Sequence, residues 1–243
     1  MTSQNKGEIM IKVIMFDLDG TLLPMNQDSF VRAYFGGLAK KLEPFGFSPE
    51  EVVNAVTRGV GAMMKNDGTL TNEEVFWNKF SELLGEQIRD YMELFEDYYK
   101  NEFQQVRHVC GFDEKAKKVV DVAKEKGFRV VLATSPMFPK IATVSRMSWA
   151  GFEPTDFEIY TTYEDYSFCK PNLNYYREVI SSLNVLPEEC VMVGNDVLED
   201  MVAKELGVEV FLLTDNLINR QNKDISEYNQ GGFDDLIDYL KQI

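Results

Sequence analysis

Five short apolar segments stand out along the chain, each rich in β-branched residues and bounded by polar or glycine-containing stretches. Their hydrophobic positions are almost continuous, which is typical of strands that are buried on both faces of a sheet. The pattern therefore predicts five strands, at residues 10–16, 129–134, 157–162, 190–194 and 208–214.

Amphipathic patterns with helical spacing alternate with these strands from residue 113 onward. Strands that alternate with helices favour right-handed βαβ units, and hence an α/β fold with a parallel sheet. A glycine follows three of the helical patterns, at the position where a left-handed residue commonly ends a helix. The predicted helices of this part of the chain are 113–126, 138–149, 172–183, 197–206 and 233–241.

The region between the first two predicted strands contains only helical patterns, with breaks marked by Pro, Gly and Asn. We therefore expect an all-helical domain of residues 25–105, inserted into an α/β core made of residues 1–24 and 106–243. The hinges between the two are expected to be short, at residues 23–27 and 105–111. The predicted helices of the insertion are 28–43, 49–65, 72–84 and 86–104.

Composition agrees with a globular protein, because 44% of the residues are hydrophobic and 27% are charged. The formal net charge of −15 matters more for function. A chain this acidic repels the phosphates of nucleic acids and of anionic lipids, so neither nucleic acid nor a membrane is an expected partner. A small anionic substrate stays compatible, because one metal ion and one lysine can reverse the charge locally.

Targeting signals and disulfides are not expected either. The first ten residues are polar and lack the apolar segment of a secretory leader, and no apolar run reaches eighteen residues. The three cysteines are an odd number and are widely spaced, which favours reduced thiols over a disulfide framework. We therefore expect a cytoplasmic protein.

Chemically active side chains follow the predicted strands at the points where the strands end. Asp17 and Asp19 end the first strand, where strand alternation places them on the same side, and Gly20 permits a sharp turn. Polar residues of the same kind follow the later strands, namely Thr134, Ser135, Lys170, Asp196 and Asp200. Ligands of open α/β sheets bind at the carboxyl ends of the strands, so these residues predict one site. Each has a simple structural explanation by itself, such as a helix cap or a surface charge.

Four motifs in this order resemble those of the haloacid dehalogenase-like (HAD) hydrolases. They are Asp17-Leu-Asp-Gly-Thr21, Thr134-Ser135, Lys170-Pro171 and Gly194-Asn-Asp196 with Asp200. The resemblance covers residues 10–24 and 106–243, and the helical insertion occupies the place of the family's C1-type cap. It implies a Rossmann-like three-layer core with a parallel five-stranded sheet, and an all-α helical cap inserted after the first strand.

The resemblance also implies roles for the site residues. Asp17 would be the nucleophile that forms an aspartyl-phosphate, and Asp19 would exchange protons with the leaving group and the attacking water. The acid role suits a carboxyl whose pKa is raised by like-charged neighbours. Mg²⁺ is the implied cofactor, held by Asp17, Asp196 and the Asp19 carbonyl, with Asp200 orienting its shell. The implied phosphate-binding groups are Leu18, Asp19, Thr134, Ser135 and Lys170.

An aspartate at position 19 favours phosphoryl transfer over the other chemistries of the family. Its dehalogenases resemble this chain less, since they carry an aromatic residue there, and its phosphonoacetaldehyde hydrolases carry a small one. Phosphosugar mutases commonly carry a histidine shortly after the first motif, and this chain has none there. The expected function is hydrolysis of a small phosphorylated metabolite. A phosphosugar mutase and a non-catalytic phosphoryl-sensing module remain as alternatives, and the motifs specify neither the substrate nor the oligomeric state.

Overall fold

The computed structural model describes residues 10–243, in which five strands form a single parallel sheet. Across the sheet, the strands stand in the order second, first, third, fourth and fifth along the chain, so the polypeptide crosses over between strands. The predicted parallel five-stranded sheet is therefore confirmed. The first ten residues, in which we expect no secretory leader, lie mainly outside the described residues. The strands are β1 (Val13–Phe16), β2 (Arg129–Leu132), β3 (Cys190–Gly194), β4 (Glu209–Leu213) and β5 (Asn229–Gly231).

One predicted strand is wrong, and one strand was not predicted. Residues 157–162 lie beside β2 but make only a single bridge pair, between Leu132 and Tyr160. The fifth strand is instead β5, whose sequence Asn-Gln-Gly is short and polar. It pairs with β4 at the edge of the sheet, where main-chain hydrogen bonds suffice and no apolar side chains are needed.

Helices cover both faces of the sheet. This is expected, because successive side chains of β1 point to opposite faces and all of them are apolar and buried. Ile14 and Phe16 pack with the apolar faces of helices 114–125, 140–149 and 233–242, whereas Val13 and Met15 pack against helix 173–183 on the opposite face. This is the three-layer core that the apolar strand pattern predicts. The helices are α1 (Gln27–Leu42), α2 (Pro49–Met63), α3 (Asn72–Leu84), α4 (Met92–Lys100), α5 (Glu114–Glu125), α6 (Lys140–Trp149), α7 (Leu173–Leu183) and α8 (Phe233–Gln242).

Two predicted helices differ from the structure. The predicted helix 86–104 is a 3₁₀ helix, then α4, then a second 3₁₀ helix that runs from Glu102 to Val109. The predicted helix 197–206 is a turn followed by a 3₁₀ helix over Met201–Leu206. Tight 3₁₀ turns commonly replace α-helical ones near helix ends and connectors, and apolar spacing does not distinguish the two over such short lengths.

The helical insertion joins the core through two chain segments that run side by side. Met25 and Cys110 form an antiparallel bridge pair, and the Gly111 amide donates to the Pro24 carbonyl at 2.6 Å. The division into a core of residues 1–24 and 106–243 and a cap of residues 25–105 agrees with these connections but stays a prediction.

Apolar packing continues from the insertion into the core. Phe103 in the insertion lies 5.1 Å from Trp149 of α6, and Phe30 of α1 lies 5.9 Å from Phe138, measured between ring centroids. Contacts of this kind stabilise through burial and ring geometry together. None of the helices within residues 10–243 is long and apolar enough to cross a bilayer.

Candidate active site

A buried lysine joins two carboxylates at the carboxyl end of β1. Asp17 directly follows the strand, and its amide donates to the Val193 carbonyl at 2.9 Å. Lys170 Nζ lies 2.8 Å from Asp17 Oδ1 and 2.6 Å from Asp200 Oδ1, and its side chain is 1% exposed. Burial would lower the Lys170 pKa, but Asp17 and Asp200 outweigh burial and hold it well above its usual value. Lys170 is therefore a charged ammonium that touches Asp17.

Asp200 links this lysine to the next predicted site residue. Its Oδ2 accepts a hydrogen bond from the Asp196 amide at 2.9 Å while its Oδ1 contacts Lys170. Asp196 Oδ1 in turn accepts from the amides of Leu198 and Glu199, at 2.7 and 3.0 Å. These bonds fix the Asp196 side chain through one of its two oxygens, which leaves the other oxygen for a further ligand.

Thr21 and Asn195 support Asp17 from the opposite side. The Thr21 hydroxyl lies 3.1 Å from Asp17 Oδ2 and 3.0 Å from Asn195 Oδ1, and Asn195 Nδ2 donates to the Asn216 carbonyl at 2.7 Å. Gly20 has a φ of +87°, and a Cβ there would collide with the Asn195 side chain. Glycine at this position is therefore required twice, for its left-handed backbone and for the close approach of Asn195.

Asp19 is bonded to a buried arginine that the motifs do not predict. Arg146 of α6 is completely buried, its Nη1 donates to Asp19 Oδ2, and its guanidinium lies 4.1 Å from the centre of the Phe138 ring. Asp19 Oδ1 is also buried and has no hydrogen-bond partner within residues 10–243. Arg146 occupies the buried face of an amphipathic helix, beside Ala142 and Met147, and an arginine at such a position is the one sequence signal that could have identified it.

The pKa of Asp19 is raised, as the acid role requires, but the main cause differs from the one expected. Burial is the largest contribution, the Arg146 guanidinium opposes it, and the like-charged Asp17 adds a smaller upward contribution. The expected upward effect of a like-charged neighbour on the Asp19 pKa is therefore present, but desolvation exceeds it.

Thr134 and Ser135, which follow β2, bring two side-chain hydroxyl groups to the site. The Thr134 carbonyl accepts hydrogen bonds from the Tyr175 hydroxyl at 3.0 Å and from the Thr161 hydroxyl, neither of which the sequence motifs indicated. Ser135 Oγ is buried and has no partner in the described part of the chain. A buried hydroxyl without a partner is costly unless a ligand completes its hydrogen bonding.

A pocket of about 180 Å³ brings most of the predicted residues together, between the strand ends and helix α1. Two predicted residues do not line it. The Leu18 side chain is fully buried, and Lys170 contacts the lining residues Asp17 and Asp200 without lining the pocket itself. The polar residues that line the pocket are Asp17, Asp19, Gln27, Thr134, Ser135, Asn195, Asp196, Glu199 and Asp200.

The donor set around this pocket fits Mg²⁺. Within residues 10–243, no three His, Cys, Asp or Glu side chains converge closely enough to form a metal site alone. Mg²⁺ does not need such a cage, because it commonly takes one or two carboxylates and keeps several waters. Acidic side chains are crowded here: burial, the larger cause, and then the Asp200 carboxylate raise the pKa of Glu199 to about 8. Asp17 and Asp196, with the Asp19 carbonyl, are the groups that would hold the ion.

Comparisons with known proteins agree with this architecture. A family model described as haloacid dehalogenase-like hydrolase matches residues 11–207. A HAD phosphatase from Thermococcus onnurineus is 20% identical, with a TM-score of 0.57 over 95% of this chain and 98% of that one. A protein from Clostridium acetobutylicum described as a predicted phosphatase is 16% identical, with a TM-score of 0.58 over 96% and 100%.

A third solved structure was determined with a bound metal. YfnB from Bacillus subtilis, solved with magnesium, is 16% identical, with a TM-score of 0.54 over 95% of this chain and 99% of that one. The search of curated proteins finds no match. At these identities the solved structures share the fold of this chain.

Proposed function

This chain belongs to the haloacid dehalogenase-like hydrolase family, and from that membership we propose that it is a phosphatase. It would use Mg²⁺ and an aspartyl-phosphate to hydrolyse the phosphomonoester of a small metabolite. The observation that carries the proposal is the contact between the Lys170 ammonium and Asp17 at the edge of a pocket that also contains Asp19 and Asp196. The phosphatases among the structural neighbours support the same reading.

Asp17 is the nucleophile in this proposal. One of its carboxylate oxygens attacks phosphorus, the bond between phosphorus and the leaving oxygen breaks, and an acyl-phosphate forms on Asp17. Both carboxylate oxygens are already oriented, by Lys170 on one side and by Thr21 on the other. Lys170 also reduces the repulsion between the carboxylate and an anionic phosphoester, because its charge is close by and buried.

Asp19 carries the proton in both halves of the reaction. As a carboxylic acid it protonates the leaving oxygen, and as a carboxylate it then takes a proton from the water that attacks the acyl-phosphate. The second step releases inorganic phosphate and restores Asp17. Asp19 lines the pocket with Asp17, so one side chain lies within the space where both transfers occur.

The remaining groups hold the phosphoryl oxygens. The Ser135 hydroxyl is buried and has no hydrogen-bond partner within residues 10–243, and Thr134 lines the pocket beside it. Together with the amides of Leu18 and Asp19, they would donate hydrogen bonds that follow the changing phosphoryl geometry. Mg²⁺ held by Asp17, Asp196 and the Asp19 carbonyl would supply Lewis-acid charge at the phosphoryl oxygens. The magnesium bound in the YfnB structure supports this choice of ion.

The helical insertion acts as a cap in this proposal. We assign the cap to residues 25–105 and the core to residues 1–24 and 106–243, because the connecting segments pair near Met25 and Cys110. Helix α1 contributes Phe30 and Val31 to the catalytic pocket, so the cap closes one side of it. A closed cap excludes bulk water from the acyl-phosphate.

Release of inorganic phosphate from 4-nitrophenyl phosphate tests the proposal. The wild-type protein with Mg²⁺ should turn over repeatedly, and Asp17→Asn should lose activity by at least roughly 10⁴-fold while staying folded, because Lys170 keeps Asp200 as its partner. Asp90→Asn, at an exposed position in the cap, is the matched control and should keep full activity.

The same assay separates the alternatives. A stable phosphoprotein with one phosphate per chain and no turnover would indicate a phosphoryl sensor. When sugar phosphates replace 4-nitrophenyl phosphate as substrates, an isomeric sugar phosphate in place of inorganic phosphate would indicate a mutase. Either result would overturn the phosphatase assignment.

A further inference from the structure

A second and larger cavity, of about 780 Å³, lies between the cap and helix α6. Side chains from α1, α2, α3 and α4 form one side of it, and residues 137–148 of the core form the other. Cavities of this size with apolar walls are typical ligand sites. Much of the wall is aromatic, including Tyr34, Phe76, Trp77, Phe95, Phe138 and Tyr163.

This cavity adjoins the catalytic pocket. Val31, Met137 and Phe138 line both spaces, so the wall between them is formed by the same side chains. The catalytic pocket, at about 180 Å³, has less than a quarter of the volume of this cavity. It is smaller than typical ligand pockets, so it does not hold both a phosphoryl group and a bulky alcohol. A larger leaving group would therefore extend past these three residues into the aromatic cavity.

The charged groups of the cavity are mostly acidic. Glu73, Glu96 and Glu164 line it, and Lys140 is the one basic residue among the lining residues. Glu164 Oε1 accepts from the Lys140 amide at 2.8 Å, whereas its Oε2 is buried without a partner within residues 10–243. Burial raises the pKa of Glu73, and the Glu164 carboxylate adds to this rise. Such a wall repels a carboxylate and favours a hydrogen-bond donor or a cation.

We propose that the substrates are phosphomonoesters of bulky, largely apolar alcohols or phenols that are uncharged or cationic, and that the leaving group fills this cavity. The assignment rests on the proposed phosphatase function, because it places the leaving group relative to Asp17. Small esters that carry a carboxylate would be poor substrates, since they neither fill the aromatic space nor tolerate Glu73 and Glu164.

Phenyl phosphate and 2-naphthyl phosphate provide the first test. Their leaving groups have similar basicity, so a difference in kcat/KM reports mainly on the binding of the second ring. We expect kcat/KM to be at least roughly tenfold higher for the naphthyl ester, because the added ring is removed from water in the transition state. Equal values for the two esters would overturn the assignment.

A second ester pair tests the charge of the cavity. 4-(Aminomethyl)phenyl phosphate and 4-(carboxymethyl)phenyl phosphate differ in the sign of a charge that is insulated from the leaving oxygen. We expect kcat/KM to favour the cationic ester by at least roughly tenfold, and Glu164→Gln to reduce that ratio. A preference for the anionic ester would contradict the proposal.

Filling the cavity should remove the preference for the larger ring. Val144 lines the cavity from α6, and Val144→Phe should lower kcat/KM for the naphthyl ester by roughly tenfold while changing the phenyl ester much less. Val53→Phe, the same substitution at an exposed position of α2, is the matched control and should preserve the ratio. Unchanged selectivity in Val144→Phe would count against the cavity.

A binding measurement distinguishes failure of this inference from failure of the proposed function. 2-Naphthylmethylphosphonate and benzylphosphonate contain no phosphoester bond, so their binding in the presence of Mg²⁺ needs no turnover. We expect roughly tenfold tighter binding of the naphthyl compound. Absence of phosphate release from every ester would overturn the phosphatase function, whereas equal affinity for the two phosphonates would overturn the leaving-group cavity.

Discussion

The guanidinium of Arg146 and the carboxylate of Asp19 form an ion pair between α6 and the loop that follows β1. The Arg146 side chain is fully buried, and the Asp19 side chain is 21% exposed. Asp19 is the one carboxylate that pairs with Arg146 within residues 10–243. The proposed proton carrier is therefore also the counter-ion of a buried cation, so its removal affects both chemistry and stability.

Removal of Asp19 should destabilise the protein through Arg146. We expect Asp19→Ala to lower the free energy of unfolding by about 3 kcal/mol, because the guanidinium is left buried without its counter-charge. The double variant Asp19→Ala with Arg146→Met should recover most of this loss, since it removes the stranded charge and keeps the apolar contact with Phe138. Urea denaturation of the wild type, Asp19→Ala, Arg146→Met and the double variant measures the coupling energy between the two residues. Additive effects of the two substitutions would contradict the pairing.

The loss of activity on substitution of Asp19 should depend on the leaving group. Asp19→Asn keeps a hydrogen-bond acceptor for Arg146 but cannot supply a proton. We expect its kcat to fall by roughly 10²- to 10⁴-fold with n-butyl phosphate and by much less with 4-nitrophenyl phosphate, whose leaving group needs no protonation. Steady-state kinetics with the two esters give the comparison. Equal losses for both would assign the proton to another group.

Mg²⁺ should stabilise the protein, because it neutralises the crowded carboxylates of the pocket. At a hundredfold excess over its Kd, the ion adds about 2.7 kcal/mol to the unfolding free energy, which corresponds to a rise in Tm of roughly 5–10 °C. Asp196→Asn should lose most of this rise, whereas Asp90→Asn should retain it. Differential scanning calorimetry in Mg²⁺ and in EDTA measures both. A full Mg²⁺ response in Asp196→Asn would remove Asp196 from the ligand set.

Much of the fold could be predicted from the sequence, because buried parallel strands require near-continuous apolar side chains. β5 has no such requirement, since the edge position and main-chain bonds alone hold its polar Asn229–Gly231 segment. The segment 157–162 has the composition of a strand, but it meets β2 in one bridge pair only. Side-chain composition does not encode how long two segments stay parallel, so this difference appears only in the structure.

The residues of the candidate site likewise fall into those that could be predicted from the sequence and those that could not. Asp17, Asp19 and Asp196 could be predicted because they immediately follow strands, where the topology brings distant segments to one edge. Arg146 lies far from the first motif along the chain, and nothing local specifies that it reaches Asp19. The hydrogen bond from the Tyr175 hydroxyl to the Thr134 carbonyl depends likewise on how α7 packs against β2. Supporting contacts of this kind arise from tertiary packing rather than from local patterns.

Asn72 ties the cap to the loop that carries the proposed phosphate-binding residues. Its fully buried amide donates to the Pro136 carbonyl at 3.1 Å, and its backbone amide donates to the Tyr166 carbonyl at 2.9 Å. Asn72→Ala should lower the unfolding free energy by about 1–3 kcal/mol by leaving buried groups unpaired. It should also lower kcat/KM by roughly tenfold, because Pro136 follows Ser135 directly. Asn78→Ala, on the exposed face of the same helix, is the control, and equal behaviour of the two variants would contradict this role.

Asp156 should make stability depend on pH in the acid range. Burial opposes its ionisation, but bonds from Lys124, the Glu153 amide and Lys117 outweigh burial and lower its pKa to about 2. A lowered carboxyl pKa stabilises the fold above the unfolded value near 4, and that stability is lost as the pH falls towards 2. Asp156→Asn should therefore cost about 1–2 kcal/mol at pH 7, with the difference from wild type narrowing below pH 4. Urea denaturation at several pH values measures this difference in unfolding free energy. Asp121→Asn, which changes a more exposed partner of Lys117, is the control and should show a smaller loss of stability. A loss in Asp156→Asn that does not vary with pH would contradict the lowered pKa of Asp156.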